Sequence, residues 1–265
     1  MWKKFRANLR VFSFALYVIL SFSFYLMIKG LIYIVGKDYS SWRNIYMRHL
    51  SGVTCSIFNI QVEVKGTPPS APFFLVCNHL SYLDILPLFM ALDCTFVAKK
   101  EIRSWPILGF MVKHMGVVFV NRKRRSDVVR VNQLITQAMN KHQGVVVFPE
   151  GTSSSGAEVL ALRSSLLQYP SSKLIAVHAA SLYYRTGPKD IPAIDSVCFF
   201  GGRHSFMEHF FRMAKNDSIY CELRFADETI IEGDRKTLTR KLQQQIESVF
   251  TPSSTPADSL KMVNE

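Results

Sequence analysis

The sequence predicts an α/β fold: a mixed sheet flanked by helices, behind an N-terminal hydrophobic helical region that attaches to a membrane. Three observations predict it. Short, wholly apolar runs, among them Phe73–Cys77, Gly116–Val120 and Gly144–Phe148, have the pattern of strands buried on both faces. Between such runs lie segments with apolar residues at helical spacing. Near the start, Val11–Ile28 is an uncharged apolar stretch, and about 18 to 25 apolar residues suffice to span a bilayer.

The chain has 265 residues, enough for one large α/β domain beside a membrane-attaching segment. A hydrophobic fraction of 48 %, with 20 Phe and 10 Tyr, is enough to build a core, which argues against global disorder. The formal net charge is +12, and it is concentrated: Val97–Arg130 holds nine Lys and Arg against two Asp and Glu. Helix-turn-helix, RNP and zinc-finger patterns are lacking, so nucleic acid is disfavoured. Membrane phosphates and anionic substrates are the remaining partners. The 5 cysteines, Cys55, Cys77, Cys94, Cys198 and Cys221, are odd in number and lack CxxC spacing. They read as reduced core residues of a cytosol-facing domain.

Lys3, Lys4, Arg6 and Arg10 precede the apolar stretch, and Phe, Tyr, Leu and Met stand where a signal peptide would need a small-residue cleavage site. Lys29 and Gly30 interrupt the stretch before Leu31–Val35. Positive flanks hold an N-terminus in the cytoplasm, so a single span would carry the remaining chain outside, against the reduced cysteines. Two arrangements stay open. In one, the helix dips into a single leaflet and Trp42–Asn59, amphipathic through Ile45, Tyr46, Leu50, Val53 and Ile57, is its returning or interfacial partner. In the other the helix spans.

Residues 1–59 form this membrane-attaching region, 60–250 the α/β domain and 251–265 a Pro/Ser-rich disordered tail. Within the domain, Ile60–Val64 alternates like a strand and Gly66–Pro69 is a turn. Ile85–Leu92 and Pro106–Met115 read as short helices, and Thr95–Ala98 as a strand. Ser126 can cap a helix over Asp127–Lys141. Val159–Leu167 reads as helix; Leu174–Val177, Val197–Phe200 and Ile219–Phe225 as strands. Leu238, Leu242, Ile246 and Phe250 mark the last helix.

Three loops follow apolar strands, where open α/β sheets bind ligands. The first is Asn78-His79-Leu80-Ser81-Tyr82-Leu83-Asp84. A histidine can take a proton from an alcohol near neutral pH, and a carboxylate on its second ring nitrogen fixes the tautomer. The spacing suits a turn entering a helix, with His79 outside and Asp84 at the entry. It equally suits an aspartate that only caps the helix from Ile85 and an idle histidine. In the second loop Arg122 stands at a strand terminus, where a guanidinium can grip a phosphate, ahead of Lys123, Arg124 and Arg125. The third runs Phe148-Pro149-Glu150-Gly151-Thr152-Ser153-Ser154-Ser155-Gly156, with small residues whose N–H groups can approach an anion. It lacks the Walker ending and the GxSxG elbow. Glu150 is out of keeping with a phosphate site and could orient Arg122 or a substrate hydroxyl.

Together and in order, these loops resemble those of the PlsC-type glycerolipid acyltransferases, in particular 1-acyl-sn-glycerol-3-phosphate acyltransferases. NHxSxxD is matched by Asn78, His79, Ser81 and Asp84; GxxFxxR by Gly116, Phe119 and Arg122; FPEGT by Phe148–Thr152. The resemblance covers about Ile60–Phe225. It implies transfer of a fatty acyl group from acyl-CoA or acyl carrier protein to the free hydroxyl of a lysolipid, without cofactor, metal or covalent enzyme intermediate. It makes His79 and Asp84 catalytic, and Asn78, Ser81, Arg122, Glu150, Gly151 and Thr152 substrate-binding. It puts the enzyme at a membrane, the inner one in a bacterium, with its catalytic domain facing the cytoplasm. The family's fourth block usually carries Pro-Val; here Ala176-Val177 stands in its place. That departure, and the stretch Val197–Phe211, leave the acceptor open between lysophosphatidate and another lysolipid such as lyso-ornithine lipid. A reading from a different class is a membrane scaffold without turnover.

Overall fold

The computed structural model describes residues 2–101, 108–120 and 127–254. Its first element is one helix, α1 (Trp2–Ile34), which runs through Lys29 and Gly30 without a break. At 1.5 Å per residue it is about 50 Å long. By length and composition it is the one helix among the described residues that can cross a membrane. Its surface is inverted relative to a water-soluble helix. Phe12 is 66 % exposed, Ile19 64 % and Leu20 62 %, while Arg6 and Arg10 turn inward to backbone carbonyls of Ala214, Lys215 and Asn216.

A short turn leads into α2 (Ser40–Phe58), which ends on Asn59 in the left-handed region at φ 54°. Its inward face differs from the expected apolar one. Arg43, Asn44, Tyr46, Met47, Ser51 and Thr54 are buried, and Ile45 is 61 % exposed. The reason is docking: Arg43 donates to the Gln143 side chain and the Cys94 carbonyl, and Asn44 to the His142 carbonyl at 2.7 Å. α2 is fastened to the catalytic domain rather than floating beside it.

Seven strands form one mixed sheet: β1 (Ile60–Lys65), β2 (Phe74–Cys77), β3 (Cys94–Lys99), β4 (Val118–Val120), β5 (Gly144–Val147), β6 (Val177–Thr186) and β7 (Ile219–Phe225). Their spatial order is β1-β7-β6-β2-β5-β3-β4. All neighbours are parallel except β6 and β7, so β1 and β7 run against the others. The period of two along β2 divides the core. Leu75 and Cys77 face the layer that includes α1, α2 and α3 (Ile85–Ala91). Phe74 and Val76 face the layer built from Ile135 of α5 (Asp127–Ala138) and Leu238, Leu242 and Ile246 of the last helix, Arg235–Val249. The central strands β2 and β5 are buried at every position, which is why they appear in the sequence as unbroken apolar runs. A short helix α4 (Leu108–His114) precedes β4.

Three expected elements come out differently. Val159–Arg163 is not helical; only a 3₁₀ turn, Ser164–Leu167, and α6 (Gln168–Ser172) follow it. Gln243 holds the extended backbone, accepting from Leu162 N–H at 3.1 Å and donating to the Val159 carbonyl at 3.4 Å. Leu174 adopts φ 49°, so the strand begins only at Val177 and then runs to Thr186. Val197–Phe200 is no strand. It follows α7 (Ala193–Ser196) and is spent on contacts with the strand-end loops. Helix α8 (Phe206–Ala214) was not expected, although Ser205 and Glu208 carry its capping signature: the Ser205 hydroxyl accepts from Glu208 N–H at 3.3 Å. The last helix, Arg235–Val249, is α9. Beyond it residues 251–254 are tied down, against the expectation of a tail disordered from Thr251. Ser253 N–H donates to the Gly156 carbonyl at 2.7 Å, and the Ser253 hydroxyl accepts from Tyr184 N–H at 2.9 Å. Residues 255–265 lie outside the described residues.

Candidate active site

β2 and β5 are adjacent and parallel, so the loops that leave their carboxyl ends meet. From β2 the chain turns through His79 and a 3₁₀ turn, Tyr82–Asp84, into α3. Asp84 is fully buried. Its Oδ2 accepts three hydrogen bonds: from Leu80 N–H at 2.8 Å, from Ser81 N–H at 3.0 Å, and from His79 Nδ1 at 2.7 Å. Through Ser81 N–H the Asp84 side chain also caps the 3₁₀ turn that leads into α3, so capping and the contact with His79 coexist on one oxygen. The five-residue spacing works because the carboxylate folds back over its own turn, closing a ring that ends on the imidazole.

The hydrogen bond to Asp84 puts the proton of a neutral His79 on Nδ1 and leaves the lone pair on Nε2. The imidazole is one-quarter exposed. Its face stacks on Phe148, with centroids 4.3 Å apart and planes at 19°, and Phe148 stacks in turn on Phe96. The ring therefore has one wet edge, one aromatic wall and one carboxylate.

The loop after β5 approaches from the other side. Glu150 is 2 % exposed, and its Oε1 accepts from His79 N–H at 3.1 Å. Burial pushes the Glu150 carboxyl up to about 8; the hydrogen bond from His79 opposes this and the nearby Asp84 charge adds to it. Ser154 N–H donates to the His79 carbonyl at 2.8 Å. A third segment closes the arrangement: Phe199 N–H donates to the Leu80 carbonyl at 2.8 Å, and Ser153 Oγ to the Phe199 carbonyl.

A protein-family model described as Acyltransferase matches residues 59–193, just over half of the chain. The chain belongs to the acyltransferase family. A lyso-ornithine lipid O-acyltransferase of Pseudomonas aeruginosa is 26 % identical over 226 residues, covering 84 % of this chain and 85 % of that protein. A 1-acyl-sn-glycerol-3-phosphate acyltransferase of Neisseria meningitidis is 34 % identical over 152 residues, covering 56 % of this chain and 59 % of that protein. The crystal structure of the 1-acyl-sn-glycerophosphate acyltransferase PlsC of Thermotoga maritima shares the fold, with a TM-score of 0.66 at 18 % identity over 98 % of both chains.

In this acyltransferase the eight residues singled out from sequence fall into separate groups. His79 and Asp84 are in contact. Asn78 is 1 % exposed, and its amide is used on both sides by Leu182, donating to the carbonyl at 3.0 Å and accepting from the N–H at 2.7 Å. Ser81 is fully buried. The Asn78 side chain thus ties the loop to β6, and neither side chain faces solvent in the structure described. Glu150 likewise turns inward, while Thr152 is exposed and Gly151 adopts φ 77°. Arg122 lies outside the described residues. β4, which ends at Val120, is three places from β2, roughly 14 Å at the usual strand spacing.

The contacts that sequence reasoning missed, from Phe148, Ser154, Phe199 and Leu182, are a ring stack and the backbone groups of three residues. Backbone groups leave no residue-type signal; only Phe148, inside the FPEGT block, carried one. The five cysteines are free and buried, and burial pushes the thiols up. Among the described residues no three His, Cys, Asp or Glu side chains gather as a metal site.

Proposed function

We propose that this chain is a lysolipid O-acyltransferase that moves a fatty acyl group from acyl-CoA or acyl carrier protein to the free hydroxyl of 1-acyl-sn-glycerol-3-phosphate, giving phosphatidic acid. One observation carries the reading: the 2.7 Å contact between His79 Nδ1 and a fully buried Asp84, which leaves Nε2 as the available base. Nε2 takes the hydroxyl proton as the acceptor oxygen attacks the thioester carbonyl. The tetrahedral intermediate then expels the thiolate, which recovers the proton from the imidazolium. Asp84 keeps the tautomer and stabilises that imidazolium. General-base assistance of this kind is worth roughly 10²- to 10⁴-fold. Arg122 and the exposed Thr152 are the groups left to hold the acceptor's phosphate.

A second acceptor, lyso-ornithine lipid, is favoured by the Pseudomonas relative, whose likeness runs over most of both chains; Ala176, in place of the family's usual proline, leaves room for either acceptor. A panel assay separates the two. Membranes holding the protein are given labelled acyl-CoA or acyl carrier protein and a set of lysolipids. Lysophosphatidate is expected to be acylated. Acylation of lyso-ornithine lipid alone moves the assignment to the second acceptor, and acylation of nothing favours a scaffold. His79→Ala is expected to abolish turnover; full activity in that variant would sink the mechanism.

The reaction belongs at a membrane surface, with the catalytic domain on the cytoplasmic side. The exposed apolar face of α1 supports membrane attachment. Its hold on the domain favours attachment to one leaflet over a span. Lys3 reaches the Lys189 carbonyl and Asp190, and Tyr25 and Lys29 both donate to the His114 carbonyl. From Lys3 to Lys29 the axis advances about 39 Å, more than the roughly 30 Å of a hydrocarbon core. A helix fastened at both ends to the domain has its free face turned sideways, into one leaflet.

A further inference from the structure

Glu150 belongs to the block that the resemblance assigns to substrate, yet its surroundings fit another task. The loop after β5 holds both backbone groups of His79: the N–H through Glu150 Oε1 at 3.1 Å and the C=O through Ser154 N–H at 2.8 Å. Leu160 N–H also faces the Glu150 carboxylate. Arg163 N–H donates to the Pro149 carbonyl at 2.8 Å, fastening the start of the same loop. The carboxylate is 2 % exposed and Oε2 is buried without a hydrogen-bond partner among the described residues, so neither oxygen is presented to a lipid headgroup. At the ring, Asp84 and Phe148 limit rotation. What remains to be set is the position of the His79 backbone, and Glu150 is the one side chain among the described residues that bonds to it directly.

We propose that Glu150 is a positioning residue: by accepting the His79 amide proton it sets where Nε2 stands relative to the acceptor hydroxyl, and it does not touch the acceptor. The proposal rests on the reading of His79 as the base. A shift of the His79 backbone is carried straight to the ring, and misplacement by about 1 Å costs on the order of 10²-fold in rate. A neutral side chain with the same acceptor oxygen should serve equally, because burial already keeps the carboxyl protonated at neutral pH.

The test compares Glu150→Gln, Glu150→Asp and Glu150→Ala in the full-length protein in membranes. Glu150→Ala is expected to lower kcat about 10²-fold while the acceptor KM stays within about twofold. Glu150→Gln should stay within about threefold of the parent in both. Glu150→Asp, whose oxygen falls short by one methylene, should lower kcat with the KM unchanged, and it replaces the Ala variant if that one fails to fold. A tenfold rise in acceptor KM at unchanged kcat in the Asp or Ala variant, or a Gln variant as impaired as the Ala one, overturns the proposal. A second readout needs no turnover: the ring signals of isotopically labelled His79, assigned by their loss in His79→Gln. They should shift in Glu150→Ala or Glu150→Asp and hold in Glu150→Gln. His79 signals that stay unmoved in the Asp and Ala variants overturn the positioning role even if no lysolipid is acylated, an outcome that would separately remove the proposed function.

Discussion

Arg43 and Asp84 are both buried charges, and the chain satisfies them in opposite ways. In the N-terminal helical hairpin, guanidinium groups are laid on oxygen acceptors. Arg43, 3 % exposed, donates to the Gln143 side chain and the Cys94 carbonyl, and Arg10 to the Ala214 and Asn216 carbonyls at the end of α8. In the strand-end loops, carboxylates are laid on amides: Asp84 on Leu80 and Ser81, Glu150 on His79. Guanidinium stays protonated throughout the working range, so the hairpin's buried charges act as permanent pins. Carboxylates can change state or polarise a neighbour. The loops place one against an imidazole and hold the other near its own point of titration. The guanidinium pins of the hairpin and the carboxylates of the proposed catalytic loops thus use buried charge of opposite sign.

The largest effect that tests this division is at Asp84. Asp84→Asn should lower kcat by about 10⁴-fold, because an amide no longer enforces the Nδ1–H tautomer, while sedimentation with anionic vesicles stays at the parent level. Comparable loss of both would mean that the two regions are not separable. Arg43→Met is the converse. It leaves the Gln143 oxygen and Cys94 carbonyl buried without their donor, and should destabilise the domain by about 2–4 kcal/mol in chemical denaturation, with turnover per folded molecule unchanged. A fall in kcat without loss of stability would assign Arg43 to the chemistry.

Glu150 gives a pH dependence of definite sign. An unfolded glutamate releases its proton near 4.5, whereas the folded one holds it to about 8. Between those values the native state binds the extra proton, so stability is greatest below the lower value and falls as pH rises toward the upper one. The loss should be about 2–3 kcal/mol between pH 5.5 and 7.5. Glu150→Gln removes this contribution, so its stability advantage over the parent should widen across the same interval. An unchanged gap would place the Glu150 titration outside that window.

Much of this was legible before the structure. β2 and β5 are apolar at every position because both faces are covered, and buried parallel strands declare themselves in that way. The His79–Asp84 contact was legible as one of two readings of a single spacing; the Asp84 carboxylate folds back so that it caps the turn and meets the imidazole at once. The errors arose where tertiary contacts overrode local pattern. Val159–Leu162 has helical composition, but Gln243 holds it extended from a helix some 80 residues on. The resemblance assigned Asn78 and Glu150 to substrate binding; their burial against Leu182 and His79 joins residues remote in the chain and could not be seen in their sequence neighbours. The inward face of α2 was misread for the same reason, since its polar residues meet donors and acceptors on β3 and before β5.

The smallest predicted effect concerns Arg10, and it bears on how α1 meets the membrane. Arg10 donates to the Asn216 carbonyl at 2.5 Å and to the Ala214 carbonyl at 3.2 Å, where the C-terminal end of α8 carries partial negative charge. The site is only part-buried, so Arg10→Gln should cost about 1 kcal/mol, seen as a fall of about 2–4 °C in Tm for a domain of this size. The size matters less than its being felt by the catalytic domain at all. A helix that crossed the bilayer apart from the domain would let Arg10 change with no effect on the stability of the sheet. A helix laid along the domain, with Phe12, Ile19 and Leu20 facing lipid, couples the two. A drop in Tm confined to the Arg10 variant, and absent from Ile19→Leu on the lipid-facing side, is the outcome that the single-leaflet arrangement requires.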